Sequence, residues 1–200
     1  RKFLGLPDDW FIVGTVAVNR GGIPSRKAWP QNIEAFALFA RDKPNARYFL
    51  HTDIAADGYE QGVNIPLIAA QLGISDKLLF CDQERYRRGG FPEEYLRAFY
   101  CAINVLNAVS LGEGFGIPQL EAQGCGTPVI ATRIGSTPEV IEHGVTGFVI
   151  ETAFLKSACD RIGRISPEKC RSEAVRRFDR KVMAANYVTL YQGILGGGSW

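Results

Sequence analysis

Phe11-Ile-Val-Gly-Thr-Val-Ala-Val18, followed directly by Asn19-Arg20-Gly21-Gly22, decides the fold. A short run of mostly β-branched residues with no polar alternation reads as a strand buried on both faces. Such strands belong to parallel sheets, whose crossovers are helices. The glycines end the strand, and a helix is expected next. Between Trp29 and Arg41 the apolar residues Ile33, Phe36, Ala37 and Ala40 recur at spacings of three and four, and Pro44 closes the segment.

The alternation continues downstream. Residues 47–51 form the second expected strand, and an acidic, glycine-rich loop runs from Asp53 to Gly62. Pro66 then opens a helix through Leu72 that Gly73 stops, and 77–81 is the third strand. Helices are expected over 93–101, 118–123 and 137–143, the last ending at His143-Gly144, and strands over 103–109, 128–132 and 147–150. From about residue 153 the signals are helical only, with Ser166-Pro167-Glu168 starting one helix and Phe178-Asp179 breaking before another that runs to about Leu195. Strands alternating with helices predict an α/β domain over 1–195, a Rossmann-like parallel sheet of about six strands with helices on both faces. The C-terminal helices should pack on or beside it. Residues 196–200 read as a flexible, linker-like tail.

Composition narrows the function. With 46% hydrophobic and 22% charged residues the 200-residue chain is expected to build a proper core. Its net charge of +2 is too even for nucleic-acid binding or a polybasic membrane patch to dominate. The longest apolar run, Phe11 to Val18, has eight residues, so no transmembrane segment is expected. The chain begins at Arg1 and no signal-peptide core follows, which points to a piece of a longer protein. Five cysteines (Cys81, Cys101, Cys125, Cys159, Cys170) without a C-x-x-C pair fit buried, reduced thiols in a cytoplasmic protein.

In open parallel sheets ligands bind outside the carboxyl ends of the strands, so chemistry is expected after Val18, His51, Cys81, Val109 and Thr132. The most informative loop reads Ser110-Leu-Gly-Glu-Gly-Phe-Gly-Ile-Pro-Gln-Leu-Glu-Ala122. Gly114 and Gly116 let backbone approach a ligand closely, and Pro118 presets a first helical turn whose free N–H groups attract phosphate. Glu113 and Glu121 flank those amides, and each carboxylate can accept two hydroxyls. A phosphate linked to polyols, a nucleotide sugar, would satisfy every group.

Arg20 and Lys27 follow the first strand and could neutralise a diphosphate leaving group, which would make a metal unnecessary. The loop matches neither the P-loop pattern nor G-x-G-x-x-G. Bland readings stand beside these: Arg26-Lys27 as a solvated basic turn, Glu113 as a loop residue, Glu121 as a helix-start residue. His51 and His143 read as structural, and Arg85-Tyr-Arg-Arg-Gly-Gly90 as an exposed loop that could rim a base pocket.

On Glu113-Gly-Phe-Gly-Ile-Pro-Gln-Leu-Glu121, Gly126-Thr-Pro-Val-Ile-Ala131 and 139–148, the chain resembles the C-terminal, donor-binding domain of family 4 retaining glycosyltransferases of GT-B fold. The resemblance implies that the chain is one half of that fold, and that a separate N-terminal domain, absent here, carries the acceptor site. Glu113, Arg20 and Lys27 take the catalytic positions; Gly114, Phe115, Gly116, Ile117 and Glu121 bind the donor, with Glu121 on the nucleotide ribose. Asn19-Arg20 and Lys27-Ala28 stand where the family has Gly-Arg and Lys-Gly, and Arg26 competes with Arg20 for the diphosphate. Metal-independent hexosyl transfer with retention is implied, with no cofactor beyond the nucleotide diphosphate sugar. The longer protein would be cytoplasmic or peripheral at a membrane. The rival readings are a silent Rossmann-like binding module and a hydrolase using the two glutamates as acid and base.

Overall fold

The computed structural model describes residues 1–21, 24–55, 62–151 and 155–197. Gly22, most of the acidic loop and residues 198–200 of the tail therefore lie outside the described residues. The elements run β1 (Phe11–Val16), α1 (Trp29–Ala40), β2 (Ala46–His51), α2 (Ile65–Gln71), β3 (Leu78–Phe80), α3 (Gln83–Arg88), α4 (Glu94–Ala102) and β4 (Val105–Asn107). They continue with α5 (Ile117–Gly124), β5 (Val129–Thr132), α6 (Thr137–Val140), β6 (Gly147–Ile150), α7 (Leu155–Arg161), α8 (Pro167–Phe178) and α9 (Arg180–Leu195). Among the described residues six strands form one parallel sheet in the order β3-β2-β1-β4-β5-β6. The order reverses between β1 and β4, so the loops leaving these two strands diverge and leave a crevice between them.

Strand periodicity divides the core in two. Val13, Tyr48, Leu50, Val105 and Ile130 point to one face, where Trp29, Ile33 and Phe36 of α1 and Cys159 of α7 cover them. Ile12, Phe49, Leu106, Val129 and Ala131 point to the other, under Phe99 and Tyr100 of α4, Ala122 of α5 and Val140 of α6. Gly14 lets α4 come close: a methyl group there would sit 2.5 Å from the Ile103 side chain. α8 packs against α5, whereas α9 buries none of its residues and exposes Met183, Tyr187, Leu190 and Leu195.

Four expectations need correction. The basic segment 85–90 is not an open loop but the end of α3, because the Asp82 side chain caps Arg85 N at 3.0 Å and Gly89 closes the helix at φ 65°. The 137–143 helix is a single turn, since Ile141 turns extended and is buried. His143 consequently sits at no helix end; its Nδ1 accepts the Val149 amide at 3.1 Å. β4 is shorter than expected because the Asn104 side chain is spent on the Ile12 amide (2.8 Å) and the Val109 amide bends back to Asn107 Oδ1 (3.2 Å). All five cysteines are free, as expected, but Cys101 is exposed and Cys125 half-buried.

Candidate functional site

The crevice at the carboxyl ends of β1 and β4 is lined by Thr15, Lys27, Asn107, Glu113, Gly116 and Gln119, among others, and with Lys27 and Glu113 paired across it the cavity is only about 20 Å³. Its floor is a chain of buried polar groups. Asn107 Nδ2 donates to Tyr48 Oη (2.8 Å) and to Asn32 Oδ1 (3.0 Å), while Thr15 Oγ1 donates to the Asn107 carbonyl (2.8 Å). Thr15 and Tyr48 hydroxyls meet at 2.9 Å; with the Thr15 proton already committed, the Tyr48 hydroxyl is the donor. Burial pushes the Tyr48 hydroxyl up to about 12, against the lowering effect of its Thr15 and Asn107 hydrogen bonds.

Asn32 carries this floor to the walls. Its Nδ2 donates to the Lys27 carbonyl (2.9 Å) and the Val109 carbonyl (3.0 Å), joining the loop after β1 to the loop after β4. Two further bonds knit the same loops, Leu111 N to Arg26 O (2.7 Å) and Arg26 Nη1 to Gly112 O (2.9 Å). Lys27 is thereby aimed across the crevice, and its Nζ lies 2.6 Å from Glu113 Oε2. Ala28, which follows it, holds φ 49° with its side chain fully buried. That is the left-handed region, where glycine is at ease and alanine is strained.

The glycine loop is fixed from the far side. Ser136 Oγ donates to Phe115 O (2.6 Å), Ser136 N to Gly114 O (3.2 Å), and a methyl group on Gly135 would sit 2.0 Å from Glu113 O. Glu113 Oε1 accepts its neighbour's Gly114 amide at 3.0 Å. Gly116, at φ 79°, starts α5 with no side chain capping it; Pro118 carries no N–H and the Gln119 amide is bonded to Gly116 O (2.9 Å), which leaves the Ile117 amide and the positive end of the helix dipole at this end.

The structure brings Lys27, Glu113 and Gly116 together on one cleft, with Gly114 beside them in the same loop. Phe115 and Ile117 are exposed. Arg20 lies exposed after β1, close enough to Tyr86 for its charge to be felt there, whereas Arg26 is committed to the Gly112 carbonyl. Glu121 stands apart from the lining: its Oε2 accepts the Tyr100 hydroxyl at 2.8 Å, a contact that, after burial, holds that hydroxyl well above its usual range. His51, at the end of β2, is boxed by Tyr86, Phe91, Tyr95 and Phe99, and burial pulls it down to about 4. Among the described residues no three His, Cys, Asp or Glu side chains gather as metal ligands, and no helix is long and apolar enough to cross a membrane.

Sequence reasoning missed Thr15, Asn32, Tyr48, Asn107 and Gln119. The signal was present: Thr15 and Asn107 are polar residues inside otherwise apolar strands, and a polar side chain buried at a strand's carboxyl end needs partners.

Comparison with known proteins identifies relatives of the chain as a whole. The chain is 28% identical over 200 residues to the D-inositol 3-phosphate glycosyltransferase of Acidothermus cellulolyticus, covering 98% of this chain and 42% of that protein. It therefore spans well under half of that curated relative. The sucrose-phosphate synthase of Thermosynechococcus elongatus superposes with a TM-score of 0.78 at 25% identity, over 99% of this chain and 49% of that one. Anabaena HepE, crystallised in complex with UDP-glucose, superposes with a TM-score of 0.73 at 24% identity, over 96% and 51% of the two chains. The model of the family glycosyl transferases group 1 matches residues 15–166, from the polar floor to the entry of α8, and the chain belongs to that family.

Proposed function

We propose that the chain is the nucleotide-diphosphate-sugar-binding half of a retaining hexosyltransferase that works without a metal. The observation that carries this reading is the Lys27–Glu113 pair, held 2.6 Å apart beside the uncapped start of α5. A diphosphate placed at the start of α5 would meet Lys27 as a counter-charge, and the departing phosphate oxygen would gain negative charge where dipole and ammonium are already aimed. Released from the ammonium, Glu113 offers its carboxylate to sugar hydroxyls. Arg20 extends the positive lip. Glu121 keeps Oε1 for a ribose diol while Tyr100 fixes Oε2.

The relatives supply the class: one is named a glycosyltransferase, and one neighbour was crystallised with UDP-glucose. The rest of a longer protein would bring the acceptor, so the isolated chain should bind donor but transfer little, because transfer needs acceptor and donor positioned in a closed cleft.

A thermal-shift panel of UDP, GDP and ADP sugars tests the reading. A ligand at one hundred times its Kd adds about 2.7 kcal/mol of stability, roughly 5–10 °C for a domain of this size. No shift with any nucleotide sugar at millimolar concentration would refute the proposal in favour of a silent binding module. Release of free sugar from a glycoside, without nucleotide, would favour the hydrolase.

A further inference from the structure

We propose that the Lys27–Glu113 pair is a closed state of the crevice that a sugar-bearing diphosphate holds open and a sugar-free diphosphate does not, so that one contact favours the donor and drives out the spent nucleotide. Resting on the donor-site reading above, this gives the pair a role in telling the two nucleotide forms apart. With Lys27 Nζ 2.6 Å from Glu113 Oε2, the cavity there is about 20 Å³, room for a water molecule and not for a phosphate. Entry therefore has to part the pair. The backbones are tied to each other: the loop carrying Lys27 is bonded to the loop carrying Glu113 through Asn32 (2.9 and 3.0 Å), Leu111 N (2.7 Å) and Arg26 Nη1 (2.9 Å). Movement is left to the side chains, which are not held alike. Glu113 Oε1 accepts the Gly114 amide at 3.0 Å, whereas Lys27 reaches the pair on a flexible four-carbon stem and makes it through Nζ. Lys27 is the side that swings and Glu113 the side that stays.

The consequence depends on what enters. A nucleoside diphosphate gives the Lys27 ammonium a phosphate in exchange for a carboxylate, so that end of the exchange is nearly even. At the other end Glu113, its side chain 15% exposed, loses its cation while a second anion arrives beside it. The pair re-forms as that anion leaves. A diphosphate carrying a sugar brings a replacement for the ammonium with it: hydroxyls of the ring donate to Oε2, and a ring lying between carboxylate and phosphate keeps the two negative charges apart. Once the sugar has left, those hydroxyls go with it, Glu113 is bare again and Lys27 returns to it. The charge on Glu113 thus works for one ligand and against the other. A carboxylate that merely shaped the loop would act on both in the same direction.

Calorimetry on the full chain with matched ligands, UDP and UDP-glucose, GDP and GDP-mannose, ADP and ADP-glucose, compares the unsubstituted protein with Glu113→Gln. Glutamine keeps the size of the side chain and an oxygen for the Gly114 amide, but carries no charge to hold Lys27. For the base that the chain accepts, Glu113→Gln should tighten the nucleoside diphosphate about tenfold and weaken the nucleotide sugar about tenfold, moving the ratio of the two affinities about 100-fold. Glu113→Ala should reproduce both signs. A change of the same sign for both ligands, or no change in either, would overturn the exchange and leave the donor-site reading standing. Binding of none of the six nucleotides, by the unsubstituted chain or by Glu113→Gln, would overturn both.

Discussion

Lys27 and Glu113 form an ion pair 86 residues apart in sequence and 2.6 Å apart in space, each side chain less than one-fifth exposed. Screening by solvent is correspondingly weak, and the pair must open for a ligand to use either charge. Lys27→Met should therefore weaken nucleotide-sugar binding by about 10–100-fold, since a charge-assisted contact to phosphate is lost, while costing about 1–2 kcal/mol of stability. Isothermal calorimetry and urea melts separate the two effects; equal ligand affinity in the variant would remove Lys27 from the site.

Asn32 ties the two loops that present this pair, so its loss should be felt in both stability and binding. Asn32→Ala strands the Lys27 and Val109 carbonyls and one amide hydrogen of Asn107. We expect a loss of about 2–4 kcal/mol in denaturant unfolding. Unchanged stability would show that water replaces the side chain.

Glycines 114 and 135 offer a contrast. A methyl group at Gly114 would meet no atom within 4 Å, so the fold should tolerate Gly114→Ala within about 0.5 kcal/mol. If ligand backbone approach is what this glycine serves, the variant's thermal response to nucleotide sugars should still vanish. Gly135, at φ 53° and against Glu113 O, should cost about 2–4 kcal/mol on conversion to alanine.

His51 predicts a pH signature. Its folded value of about 4 lies below the ordinary 6.5, so the unfolded chain takes up a proton first. Its contribution is intact above about pH 6.5 and is lost as the pH falls from there to about 4. Discounted for partial exposure, the loss is about 2 kcal/mol. His51→Phe should remove it, so the variant's stability relative to the unsubstituted chain should climb over that window; parallel melting curves would assign the acid sensitivity elsewhere.

Much of the fold was legible because parallel strands and amphipathic helices write themselves locally: Ile12 and Val13, or Phe36 and Phe39, announce their surroundings within a few residues. Boundaries were lost where a side chain overrode the pattern, as Asn104 does at the start of β4 and Asp82 at the head of α3. The glycine loop, Lys27 and Glu113 were visible as chemistry, but their contact was not, because it depends on two loops brought together by Asn32 and Asn107. Glu121's bond to Tyr100 was hidden for the same reason: a helix-to-helix contact has no local signature.

The last helix carries a different lesson. With sixteen residues and no buried side chain, α9 adds almost nothing to the free energy that closes the core, yet it lays methionine, tyrosine and leucine open to water. Shortening the protein after Asp179 should leave the unfolding midpoint nearly where it was and raise the concentration at which the molecule stays monodisperse.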